Sequence, residues 1–70
     1  MILTAIIEPT STGFSGYVVE LGGQVIAAGD SADEVTQLLK EATQEIVRDL
    51  RREGKSMPSS PVLVRALEIV

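Results

Sequence analysis

Apolar and polar residues alternate along the first thirty positions of this chain and then change period. Ile2 to Glu8 is rich in β-branched residues and stops at Pro9, which predicts a strand. Pro9-Thr10-Ser11-Thr12-Gly13 is a turn cluster. Ser15 to Leu21, with Tyr17, Val18 and Val19, predicts a second strand, and Gln24 to Ala28 a third. Gly22-Gly23 between them suits a two-residue hairpin connection, because both positions accept positive φ. After Gly29-Asp30-Ser31 the apolar residues recur at helical spacing, through Val35, Leu38, Leu39, Ala42, Ile46 and Leu50. Ser31 followed by Glu34 fits a capping box, and Asp33 and Glu34 suit the first turn. Arg48, Arg51 and Arg52 suit the last turns, Gly54 is a natural C′ residue, and Pro58 prevents the helix from resuming. Val62 to Val70 predicts a closing strand, interrupted by Arg65 and Glu68.

The element order is therefore β-β-β-α-β, an α+β domain with one helix on one face of a four-stranded sheet. A right-handed crossover places the last strand parallel to the first, giving the sheet order 3-2-1-4. Strand periodicity puts Leu3, Ala5 and Ile7 on one face and Ile2 and Ile6 with Thr4 and Glu8 on the other. In the second strand Tyr17, Val19 and Leu21 oppose Val18; in the last, Leu63, Leu67 and Ile69 oppose Val62, Val64 and Val70. Neither face is polar throughout, so the face without the helix, or an edge strand, is expected to meet another chain. A helix from Ser31 to Glu53 would be about 34 Å long, against about 23 Å for a seven-residue strand. Its last turns are expected to overhang the sheet.

Length and composition narrow what such a domain can do. Seventy residues make one domain, spanning 1–70, and a domain of that size is marginal alone. Oligomerisation is a common remedy where disulfides and metals are missing. There is no Cys and no His, so neither a thiol nucleophile nor an imidazole base or ligand is available. The net charge of −4 argues against nucleic acid as a partner of the whole chain. The start lacks the basic flank of a signal peptide, and no run is long enough to cross a membrane, so a cytoplasmic protein is expected.

Candidate chemistry is sparse. Glu8, Glu20 and Asp30 are the acids of the strand half, and brought together they could hold a magnesium ion. Strand-end acids more often keep edges soluble, and no base or second motif accompanies these. Catalytic, metal and cofactor sites are accordingly not expected. Gly13, Gly16, Gly22, Gly23 and Gly29 lack the lysine and hydroxyl of a phosphate loop and read as turn residues. Tyr17 and Met57 read as core fill. Arg48, Arg51, Arg52 and Lys55 share one helical face opposite the apolar stripe, either a solvated surface or a docking patch.

Gly13-Phe14-Ser15-Gly16-Tyr17-Val18-Val19-Glu20-Leu21-Gly22-Gly23 resembles the signature of HicB-type antitoxin domains, roughly GYxAYVPELPGC. Ala28-Gly29-Asp30-Ser31-Ala32-Asp33-Glu34-Val35 is similar to the family's GDT-x-EEA at the helix start, and Gly54-Lys55-Ser56-Met57-Pro58 to its G-x-P-I-P stretch. The three stretches occur in order and in register between positions 13 and 58. Two family prolines are Val19 and Gly22 here, and the family cysteine is Gln24. The resemblance implies a partial ribonuclease-H-like fold without that enzyme's catalytic acids. It also implies a non-enzymatic role in bacteria: binding a small basic toxin that cleaves messenger RNA. Members usually carry a DNA-binding domain after this one; with the chain ending at Val70, none is expected. Residues 1–30 contain Glu8, Glu20 and Asp30 and neither Lys nor Arg, a local charge of −3 that suits a basic partner. On this reading Glu20, Leu21 and Gly23 face the partner, and the chain assembles as a dimer or tetramer. The alternative is an orphan homo-oligomeric scaffold or regulator with no toxin.

Overall fold

The computed structural model describes residues 2–56, 63 and 65–69. Strands β1 (Ala5–Pro9), β2 (Phe14–Val18) and β3 (Ile26–Gly29) form an antiparallel sheet in the order β1-β2-β3, and helix α1 (Ala32–Arg52) packs across one face. The α+β class, the meander and the single helix agree with the pattern of the sequence. The fourth strand does not: Leu63 and residues 65–69 are in no regular element, and β1 has β2 as its only sheet neighbour among the described residues. Met57, Pro58, Pro61, Val62, Val64 and Val70 lie outside the described residues.

Both ends of α1 are closed by the residues the sequence supplies. Ser31 Oγ accepts from the Glu34 N–H at 3.1 Å, as a capping box requires. The reciprocal bond reaches one residue further back than the usual box, with Glu34 Oε2 accepting from the Asp30 N–H at 3.2 Å. At the other end Gly54 takes φ 71°. The Lys55 N–H donates to the Leu50 carbonyl at 2.8 Å and the Gly54 N–H to the Arg51 carbonyl at 3.2 Å, a complete Schellman closure. Ser31→Ala removes the side-chain acceptor of the Glu34 N–H and is expected to destabilise the domain by about 1 kcal/mol, read as a lower urea midpoint.

The first turn is held by Thr10, whose Oγ1 accepts from the Gly13 N–H at 3.0 Å while its own N–H donates to the Gly13 carbonyl at 2.8 Å. Two boundaries depart from expectation for a common reason. β1 begins at Ala5 rather than Ile2, because the Thr4 N–H is taken by the Glu20 carboxylate and not by a neighbouring carbonyl. β2 ends at Val18 rather than Leu21, where the chain enters a 3-10 segment, Val19–Gln24. Continuing as a strand would have aimed Leu21 to the same side as Tyr17. The 3-10 turn instead swings Leu21 into the core, where it is 4% exposed. The connection is thus a six-residue segment and not a two-residue hairpin. Gly22 breaks it at φ 58°, ψ −136°, a conformation open to glycine and strained for other residues.

Val18, Leu21, Val25, Val35 and Leu39 form the core, with Leu3, Ile7, Phe14, Ala27, Ala42 and Ile46 packed around it. Gly16 lies buried in the middle of β2 and is no turn residue. A Cβ there would stand 2.8 Å from the Ile6 carbonyl oxygen, 3.0 Å from Val35 Cγ1 and 3.2 Å from Ile7 Cγ1. The missing side chain lets the helix lie against the sheet at Val35. Gly16→Ala is expected to cost about 1–3 kcal/mol through this overpacking, checked by chemical denaturation.

Candidate protein-binding surface

One helix covers one sheet face, and the opposite face is where the sequence pattern and the geometry meet. Ile7, Gly16 and Ala27 are in register across the three strands and face α1. The next residues along therefore face away. Ile6 pairs with Tyr17, and Tyr17 pairs with Ile26, so these three make one apolar row across the helix-free face. Tyr17 is 42% and Ile26 69% exposed, while Ile6 is half-buried. Glu8 and Ser15, cross-strand partners, stand beside the row. Gly22 and Gly23 close its far side, and together these residues line a shallow depression of about 280 Å³.

Tyr17 is accordingly not core fill. It is the centre of an exposed patch whose chemistry is that of a protein contact: an aromatic ring flanked by two isoleucines, with a carboxylate at the rim. The strand stops at Val18, short of the expected Leu21, so Tyr17 is not joined on its face by Val19 and Leu21.

The residues expected to face a partner are treated differently by the fold. Gly23 is exposed on the rim of this depression. Leu21 is in the core and offers no surface, which corrects its assignment as a contact residue. Glu20 is half-buried and occupied: its Oε1 and Oε2 accept from the Thr4 N–H at 2.7 and 2.9 Å. The Val19 N–H donates back to the Thr4 carbonyl at 2.9 Å, so Glu20 ties the start of β1 to the 3-10 segment. Partial desolvation pulls the Glu20 carboxyl upward. Hydrogen bonds from the Thr4 side chain, from its own backbone and from the Thr4 backbone together outweigh that and hold it below the usual carboxylate range.

A carboxyl whose folded pKa lies below its unfolded value contributes stability that is present above the unfolded pKa. That contribution is lost as pH falls through the lowered, folded pKa. Glu20→Gln is therefore expected to lower the melting temperature at neutral pH and to flatten the acid side of the stability profile. The two proteins should converge as the pH is taken below the carboxylate range. Thermal melts in a pH series check this.

The other candidate residues are also separated. Glu8 is on β1 and Asp30 precedes α1, where its N–H donates to Glu34. Among the described residues no group of three or more His, Cys, Asp or Glu could hold a metal ion. The basic patch divides. Arg52 lies 3.9 Å from Asp49 and Lys55 3.2 Å from Glu53. Arg48 and Arg51 instead line a groove beside β1, which also touches Val18 and Leu39. Among the described residues no helix is long and apolar enough to cross a membrane. Comparison of the chain with protein-family models, with curated proteins and with solved structures gives no match.

Proposed function

We propose that this chain is a non-enzymatic, HicB-like antitoxin-type protein that assembles as a homo-oligomer and neutralises a small, basic, mRNA-cleaving toxin. The observation that carries the reading is the helix-free face: the exposed row Ile6–Tyr17–Ile26, with Glu8 at its rim. No Lys or Arg occurs anywhere in residues 1–30, so nothing in the sheet repels a basic partner. Aromatic anchors flanked by aliphatic side chains are where binding energy concentrates, and a charged rim steers the encounter. The order of the family-like stretches supports the same reading, since Gly13 opens β2 and Gly29-Asp30-Ser31 leads into α1. Contact with the toxin is assigned to Tyr17, Ile26 and the Gly22-Gly23 rim, in place of Leu21.

The finer architecture belongs to this proposal too. The partial ribonuclease-H-like arrangement adds a fourth strand beside β1, in the order 3-2-1-4, and the compartment is the cytoplasm. Isolation of the tagged protein from its native host tests the reading. The expected product is a complex with a basic, histidine-containing protein of similar size, encoded by the adjacent reading frame. A clean homo-oligomer, together with a neighbouring frame that is harmless when expressed, would remove the toxin from the account.

One observation favours the second reading, an orphan homo-oligomeric scaffold or regulator. The exposed Leu63, Leu67 and Ile69 near the end of the chain concern self-association and need no toxin.

A further inference from the structure

Beside β1, on the side away from β2, runs a groove of about 650 Å³. Its floor is Val18 and Leu39, one wall is Leu3 and Ala5, and the other is the second half of α1, including Thr43 and Val47. Arg48 and Arg51 stand at its mouth. The Thr4 carbonyl accepts from Val19. Alternation along an antiparallel pair then turns the N–H and C=O of Ala5 and Ile7 away from β2, those of Ala5 at the groove's open side and those of Ile7 further along the same edge. Thr43 Oγ1 is buried there without a hydrogen-bond partner among the described residues. The groove is a strand-sized space with a free ladder on one side and the helix on the other.

The same chain carries a segment of matching character that is not in the groove. Leu63, Leu67 and Ile69 are 75%, 82% and 85% exposed, in a stretch whose composition is that of a strand. Seven residues of strand span about 23 Å, and the part of α1 that lines the groove, Thr36 to Arg51, is about 24 Å long. The radius of gyration is 13.8 Å, against about 11 Å for a compact domain of this length. The apolar tail thus stands off a body whose core numbers five buried residues.

We infer that the groove along β1 receives residues 63–69 of a second copy of this chain, so that two copies exchange closing strands and form a symmetric dimer. A chain that offers one slot and one strand fills both when two copies face each other, and the assembly closes at two. Each copy then gains the ladder partner that β1 lacks among the described residues and removes three exposed aliphatic side chains from water. This deepens the homo-oligomer part of the proposed function and is independent of the toxin. It also leaves the Tyr17 face free, because the groove opens at the sheet edge.

The absence of cysteine makes the test clean. Arg65→Cys takes a single nitroxide label at an exposed site. The unlabelled-isotope, nitroxide-bearing chain is unfolded and refolded together with an equal amount of ¹⁵N-labelled wild-type chain. Exchange predicts a particle of two copies and loss of amide signal at Leu3 to Ile7 of the ¹⁵N chain, which carries no nitroxide. A ¹⁵N chain bearing its own label, diluted into excess unlabelled wild type, should keep those signals. If it loses them while the mixed sample does not, the strand is the chain's own and the inference is overturned. A dimer whose signal loss is confined to Tyr17 and Ile26 overturns it as well but leaves the homo-oligomer intact. A monomeric mass removes both.

Discussion

Leu39→Ala is expected to remove about 2–5 kcal/mol of the chain's stability and to lower its melting temperature by about 8–40 °C. Leu39 is among the largest fully buried side chains, lying where α1 meets β2 and the 3-10 segment. Truncating a buried leucine removes its transfer free energy and leaves a cavity, together about 2–5 kcal/mol. A domain of 70 residues has about 4–10 kcal/mol of total stability. With five buried core residues among those described, the deficit cannot be spread over many neighbours. Circular dichroism should show the helical signal lost at a correspondingly lower temperature. In the proposed dimer mass action stabilises the folded form, so raising the protein concentration should raise that temperature again. A cooperative melt close to that of the parent would mean that the core does not depend on the α1 contact.

Tyr17→Ala is expected to separate binding from folding. The ring is exposed on the face without the helix, so its loss creates no cavity and changes the urea midpoint little. In the proposed toxin complex the same ring, flanked by Ile6 and Ile26, is assigned the part of aromatic anchor. Truncating such an anchor costs about 2–4 kcal/mol of binding free energy, a loss of about thirtyfold to a thousandfold in affinity. Calorimetry on the complex and denaturation of the free protein supply the two readings. Unchanged affinity would move the contact off this face, and a large fall in stability would mean that Tyr17 is structural after all.

Much of the fold could be read from local signals, because those signals act over a few residues. The capping pair Ser31 and Glu34, the stripe from Val35 to Ile46 and the Gly54 closure all depend on neighbours within one or two turns. The Thr10 turn is local in the same way. What periodicity could not supply were the choices made by distant partners. Glu20 captures the N–H of Thr4, sixteen positions earlier, and that contact ends one strand and delays another. The same turn sends Leu21 inward, which removed one expected contact residue. Gly16 has the composition of a turn residue, yet its role comes from Val35 approaching it across the sheet.

The surface followed the same division. The acidic imbalance of residues 1–30 is a property of composition and was visible directly. The apolar row was not, since Ile6, Tyr17 and Ile26 become neighbours only through strand register. Similarly, Arg48 and Arg51 share a helical spacing with Arg52 and Lys55. Of these four, Arg48 and Arg51 also line the groove between α1 and the start of β1.

The central claim is that this chain acts by covering another protein's chemistry. The direct measurement is messenger-RNA cleavage by the purified product of the adjacent reading frame, titrated with this protein. The account predicts that cleavage falls to background once the protein reaches stoichiometric amounts, and that Tyr17→Ala shifts the titration to much higher concentration. Cleavage unaffected by a large excess of the folded protein would contradict it.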